Sequence, residues 1–134
     1  MFEIGEKGQA IHDVWIEDGI AYSSNWKHGV YMIDVGNGVA GGSPSNPVAM
    51  ANYSYESGAH HATFPFKSKS TDKFYTVLGD EIFPQGIDVY TTNETAGFIH
   101  FVDFTDINNP EEVARYELPG HGSHNYWIED DILY

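Results

Sequence analysis

Three histidines, His12, His61 and His124, have the spacing to act together, because each begins a related stretch of the sequence. The segments IHDVWIEDGIAY and SHNYWIEDDILY share seven of eleven positions from His12 and His124 onward. His61 precedes His124 by 63 residues, the offset that also separates NPVAMANY from NPEEVARY. Imidazoles at equivalent positions of neighbouring strands can bind a divalent transition metal ion such as zinc, copper, nickel or iron. The repeated position is explained by three equivalent packing or hydrogen-bonding contacts, by a channel site for a metal or ligand, or by acid–base catalysis.

Other polar residues flank these histidines and would support a bound metal. Metal-bound imidazoles usually give their second ring nitrogen to a carboxylate, an amide or a backbone carbonyl. The candidates for this supporting role are His60, His121, Asp13, Asp80, Glu81 and Asn125. Asp80 and Glu81 also offer carboxylate ligands. The sequence has no His-Glu-x-x-His motif, so the metal prediction depends on the repeated position alone.

Aromatic and acidic residues outside this set have two interpretations each. Trp26, beside a Lys-His pair, is a candidate for ligand contact, with burial in the core as the alternative. Asp34 and Asp103 end apolar runs near turns, where a carboxylate can bind calcium or accept hydrogen bonds from turn amides. The latter is favoured because no Asp-x-Asp-x-Asp loop accompanies them. Trp15 and Trp127 are predicted to pack in the core.

Composition excludes several classes of function. Twenty acidic residues against six basic ones give a net charge of -14, which disfavours nucleic acids and anionic membranes as partners. The sequence has no cysteine, hence no disulfide or thiolate chemistry. No apolar run approaches the roughly twenty residues that span a bilayer, so membrane insertion is not expected. Nucleophile-elbow and phosphate-loop motifs are also missing from the sequence.

The elements that must carry these side chains are predicted to be strands throughout. Short β-branched and aromatic runs alternate with Gly, Pro and Asn turns, and no helical period occurs. The predicted strands are Ala10–Ile16, Ile20–Ser24, Val30–Val35, Val48–Tyr55, His61–Phe66, Phe74–Leu78, Phe98–Phe104, Glu112–Leu118, His124–Ile128 and Ile132–Tyr134.

These strands group into two blade-like units, 10–58 and 59–120, and the start of a third at 121–134. A unit of about fifty residues with four antiparallel strands has the size of a propeller blade. The predicted fold is therefore all-β, a partial β-propeller of about two blades plus the first strands of a third, forming one incomplete segment over 1–134. Since a propeller has about four to eight blades, we expect a longer polypeptide or self-association through exposed blade ends.

The segments VYMIDV, NPVAMANY and HHATF, with HFVDFTDINNPEEVARY and SHNYW, resemble the LVIVD-repeat proteins. The first unit departs from this pattern, because GNGVAGGSPS lengthens its approach to Asn-Pro. The resemblance implies a β-propeller and an extracytoplasmic or cell-surface location, and it implies no settled reaction.

Two functional hypotheses follow. The favoured one is a non-catalytic repeat module whose loops and channel mouth bind a small ligand or a protein. The alternative is a metal-dependent enzyme with a centre of His12, His61 and His124 in the propeller channel.

Overall fold

The computed structural model describes residues 10–56, 59–81 and 94–134, and the fold of these residues is all-β. The strands are β1 (Asp13–Glu17), β2 (Ile20–Ser24), β3 (Val30–Asp34), β4 (Val48–Tyr53), β5 (His60–Lys67), β6 (Phe74–Asp80), β7 (Ile99–Asp103), β8 (Glu111–Tyr116), β9 (Ile128–Glu129) and β10 (Ile132–Leu133). A search of the described residues for a helix long and apolar enough to cross a bilayer found none.

Two four-stranded antiparallel sheets have the same strand order, β1-β2-β3-β4 and β5-β6-β7-β8. The pairing register shifts at the same place in both, between Met32 and Ile33 on β3 and between Phe101 and Val102 on β7. The strands β9 and β10 form a separate two-stranded sheet. This arrangement of two blades and the start of a third confirms the predicted fold class. The predicted unit boundary beside residue 58 stays a prediction, because residues 57–58 lie outside the described ranges.

A two-residue turn closes the hairpins that carry the repeated Trp-Ile-Glu-Asp sequence. Asp18 and Gly19 have φ angles of 49° and 74°, while Asp130 and Asp131 have 53° and 60°. Positive φ at both central residues matches the right-handed twist of paired strands, and Gly, Asp and Asn tolerate it best. The sequence repeat thus produces the same hairpin twice.

The core lies between the sheets, and neighbouring residues of β6 pack in opposite directions. Leu78 joins Val102 and Phe104 against the first sheet, where the partners are Ile20, Tyr22, Val30 and Met32. Val77 joins Ala62 against Tyr126, with Ile128 and Leu133 of the third sheet packed beside them. Because successive side chains of a strand point to opposite faces, the two apolar clusters lie on the two faces of the second sheet.

The start of the third unit differs from the prediction. A strand was expected over His124–Ile128, but pairing begins only at Ile128, with one further pair of backbone hydrogen bonds between Trp127 and Tyr134. Just before Trp127, the contact with the second sheet is made by a side chain instead, because Tyr126 is buried against Ala62 and Val77. Trp127 is 56% exposed, contrary to the predicted core position. Trp15, in contrast, packs against Phe64 of the second sheet with ring centroids 4.6 Å apart.

Candidate metal centre

Donor atoms from both blades meet at one end of the sheets. His12 Nε2, His61 Nδ1 and a Glu81 carboxylate oxygen form a group whose ligand atoms all lie within 4.8 Å of one another. His12 Nε2 is 2.6 Å from His61 Nδ1, and Glu81 Oε2 is 2.9 Å from His61 Nδ1 and 3.8 Å from His12 Nε2. His124 Nε2 lies 3.9 Å from the other oxygen, Glu81 Oε1. The structure therefore brings all three repeated histidines to a single carboxylate.

A β-bulge and backbone pairing hold these side chains in place. His60 pairs with Asp80 and Ala62 pairs with Gly79, so His61 is the extra residue of a bulge in β5. Bulges re-aim a side chain and are common beside functional sites. The Glu81 N–H donates to the Ala59 carbonyl at 3.1 Å, and the His12 N–H donates to the Ser24 carbonyl at 2.8 Å. Both candidate ligands thus continue the backbone pairing of their sheets.

Asn125 orients the His61 ring from the third unit. The His61 Nε2 lies 3.3 Å from the Asn125 Oδ1, and the Asn125 amide nitrogen faces the Asp13 carboxylate at 3.5 Å. With its oxygen directed at His61, Asn125 accepts a hydrogen bond from the Nε2–H, and in this tautomer the Nδ1 lone pair points toward Glu81. The His61 Nδ1 thus faces both Glu81 Oε2 at 2.9 Å and His12 Nε2 at 2.6 Å, an arrangement that a cation between these atoms would stabilise.

Four aromatic rings follow one another across the centre. Trp26 lies 4.0 Å from His12, His12 lies 4.6 Å from His61, and His61 lies 3.9 Å from His124, all between ring centroids. Trp26 is half-buried and has a φ of 50°, an unfavourable value for a bulky residue. The surrounding structure holds Trp26 in this conformation, with its ring against His12, and both of its interpretations stay open.

His60 lies behind Trp26 and fixes that residue. Its Nδ1 donates to the Trp26 carbonyl at 2.5 Å, and its Nε2 accepts from the Tyr55 N–H at 3.3 Å. Burial lowers the pKa of the His60 imidazole, which keeps the ring neutral in this role. His60 therefore acts on the centre through Trp26. His121 is exposed and its Nδ1 lies 3.0 Å from the Pro119 carbonyl, so its ring is engaged within its own turn.

Asp80 lies on the opposite face from Glu81, because successive side chains of a strand alternate. There it contacts buried His100, whose Nε2 is 3.2 Å from Asp80 Oδ2 and whose Nδ1 is 2.8 Å from Glu112 Oε2. Tyr55 stacks on His100 with centroids 3.7 Å apart, and burial raises the pKa of its hydroxyl. This polar network was not predicted from the sequence. The sequence feature that could have predicted it is the spacing of His100 and Val102. These residues are two positions apart on one strand, so both side chains lie on the same, buried face.

The two turn aspartates have the predicted role as hydrogen-bond acceptors. Asp34 is buried and accepts from the backbone N–H groups of Gly36, Gly38, Ala40 and Gly42 at 2.8–3.1 Å. These bonds, that of Gly38 foremost, lower its pKa to about 2. Asp103 accepts from Lys73 and from the Thr105 N–H, which also lowers its pKa to about 2. In both turns, protein donors occupy the carboxylate.

Comparison with known proteins gives no relative for this chain. No protein-family model, curated protein or solved structure matches it. The resemblance to the LVIVD-repeat proteins therefore stays a prediction.

Proposed function

We propose that this chain is a propeller-repeat module that binds a divalent transition metal ion through His12 Nε2, His61 Nδ1 and Glu81 Oε2. The convergence of these three donor atoms within 4.8 Å carries the proposal. They come from residues far apart in sequence and from two separate sheets, so local chain geometry alone does not produce the cluster. The proposal assigns metal binding and leaves any reaction unassigned.

The distances between the donors suit a metal after small movements. Zinc–nitrogen bonds of about 2.1 Å at a tetrahedral angle separate two ligand atoms by about 3.4 Å. The observed separations of 2.6, 2.9 and 3.8 Å lie on both sides of that value. Side-chain rotations that move each donor atom by less than 1 Å would therefore accommodate an ion. The backbone pairing of both sheets would be kept.

The donor set selects the class of metal. Two imidazoles and one carboxylate suit zinc, iron and related first-row ions, whereas calcium and magnesium prefer oxygen ligands alone. The ligand charge is also suitable, since one carboxylate partly neutralises a divalent ion. The centre lies in a protein of net charge -14, which raises the local concentration of cations.

Metal titration of chelator-treated protein tests the proposal. We expect one zinc or cobalt ion per chain by calorimetry and elemental analysis, lost in His61→Ala and in Glu81→Gln. The exposed His28→Ala variant is the matched control, because it removes an imidazole outside the cluster. Substoichiometric binding by the wild-type protein, or equal loss in the control, would contradict a centre at these residues. Circular dichroism of each metal-free variant confirms that its sheets are intact.

Self-association through the blade ends is a second proposal, and it explains the exposed apolar residues there. Ile16 on β1 is 61% exposed and Ile132 on β10 is 55% exposed. Strand edges with such residues tend to pair with other chains. Light scattering should show a mass that rises with concentration, and Ile16→Lys should reduce the rise. A stable 15.0 kDa species over a wide concentration range would exclude it.

A further inference from the structure

His124 differs from the other donors in both position and exposure. Its Nε2 faces Glu81 Oε1 at 3.9 Å, whereas His12 and His61 face Glu81 Oε2. Its side chain is 63% exposed, compared with 7% for His61 and 22% for Glu81. His124 precedes β9 in a stretch without strand pairing, while His61 and Glu81 are held by the second sheet. Three donors thus converge, and the fourth candidate lies at their solvent side.

The number of protein ligands separates two kinds of metal site. Structural zinc sites are closed by four protein ligands, whereas catalytic sites have three and keep one position for water or substrate. Two histidines and one carboxylate are the ligand set of open zinc sites and of open iron sites. The cluster of His12, His61 and Glu81 belongs to the open kind, provided that His124 is not a ligand.

Building on the proposed metal centre, we propose that the ion keeps a coordination position open toward His124 and binds a small oxygen-donor anion there, of the carboxylate or hydroxamate class. A divalent ion with two neutral imidazoles and one carboxylate retains a positive charge, which attracts an anionic oxygen ligand. Trp26 covers the His12 side of the centre at 4.0 Å, so the opening lies on the exposed His124 side. His124 is then a hydrogen-bonding neighbour of the incoming ligand.

Cobalt substitution with acetohydroxamate as the probe tests this inference. The visible spectrum of cobalt-loaded wild-type protein should shift on addition of acetohydroxamate, with saturation. His124→Ala should retain one cobalt ion, with affinity lowered by about tenfold at most, and should bind the probe more weakly. His61→Ala, which removes a ligand, should lower cobalt affinity by more than about 100-fold. His28→Ala should match the wild type in both measurements.

The outcomes distinguish this inference from the proposed function. Failure of the wild-type protein to bind cobalt overturns both. Stoichiometric cobalt binding with a spectrum unchanged by acetohydroxamate keeps the metal centre and overturns the open position. A loss of cobalt affinity in His124→Ala equal to that in His61→Ala makes His124 the fourth ligand and also overturns the open position.

Discussion

Asn125 connects the third unit to the proposed metal ligands, although it is not one of them itself. It accepts from the His61 Nε2 at 3.3 Å and faces Asp13 of the first unit. Such an amide fixes the tautomer of a metal-bound imidazole, so its loss is expected to weaken metal binding without unfolding the protein. The metal affinity of the proposed centre should therefore depend on all three parts of the chain.

Replacing Asn125 should weaken metal binding selectively. We expect Asn125→Ala to lower zinc affinity by about 10- to 100-fold in a competition titration, because His61 loses the partner that orients it. The melting temperature of the metal-free protein should change little. Asn108→Ala, at an exposed loop position, serves as the control. Unchanged zinc affinity in Asn125→Ala would show that His61 needs no such partner.

Sequence reasoning located the histidines but not the geometry that joins them. The common position of His12, His61 and His124 was visible as a repeat, and alternation would have separated Glu81 from Asp80. The bulge that makes His61 an extra residue of β5 leaves no mark in the sequence, because a bulge follows from how two strands pair. The convergence on Glu81 therefore had to come from the structure.

Among the elements, strand β6 shows how one residue permits the third unit to dock. Gly79 lies directly under the Tyr126 ring, and a Cβ atom built there overlaps that ring. Tyr126 is buried and packs against Ala62 and Val77. Glycine at this position thus leaves the space into which the third unit inserts its aromatic anchor.

Adding a methyl group at Gly79 should undo this docking. We expect Gly79→Ala to destabilise the protein by about 1–3 kcal/mol in denaturant unfolding, because Tyr126 must leave its place. Gly36→Ala is the control, since its Cβ would lie 3.8 Å from the nearest atom. Tyr126→Ala should make the alanine at position 79 tolerable. Equal destabilisation by Gly79→Ala with and without Tyr126 would show that the overlap is not the cause.

The loop after β3 is organised around Asp34, and its stability should depend on pH. The folded-state pKa of about 2 lies below the ordinary 3.8, so the ionised carboxylate stabilises the fold above about pH 4. That contribution is lost as the pH falls from about 4 to about 2. Asp34→Asn should have a lower melting temperature than the wild type at pH 7, and the difference should shrink over this window.

A surface carboxylate gives the comparison for this prediction. Asp72 is exposed and pairs with Lys67, so Asp72→Asn should change the melting temperature little at any pH. A melting-temperature difference between Asp34→Asn and the wild type that stays constant from pH 7 to pH 2.5 would contradict this prediction. It would show that the four hydrogen bonds from backbone N–H groups do not depend on the charge of the Asp34 carboxylate.

Strand positions were the part of the fold that sequence predicted best. The bounds of β2 are those expected, and β3 and β4 end one and two residues earlier than predicted. Alternating apolar residues between turn sequences explain this agreement, since each strand needs only its neighbours in sequence to be recognised. The strand expected from His124 failed because pairing also needs a partner strand.

For the whole molecule, a bound metal should stabilise two blades together. His12 belongs to the first blade, while His61 and Glu81 belong to the second, so unfolding either blade destroys the centre. At a free zinc concentration of 100 times Kd, binding adds about 2.7 kcal/mol, which raises Tm by on the order of 10 °C. Scanning calorimetry with and without a chelator measures this shift, and His61→Ala should show none of it.

His12 and His61 are 49 positions apart in the sequence, which has a mechanical consequence when a metal connects these two side chains. Tension applied to the chain ends would then pass through the ion and bypass the entire first blade. Fully stretched, that blade represents roughly 160–180 Å of hidden length. The ion would act as a cross-link between His12 and His61, and this length would be released in one step when a metal–ligand bond breaks. Chelation would leave the same blade to extend under the weaker resistance of its own hydrogen bonds.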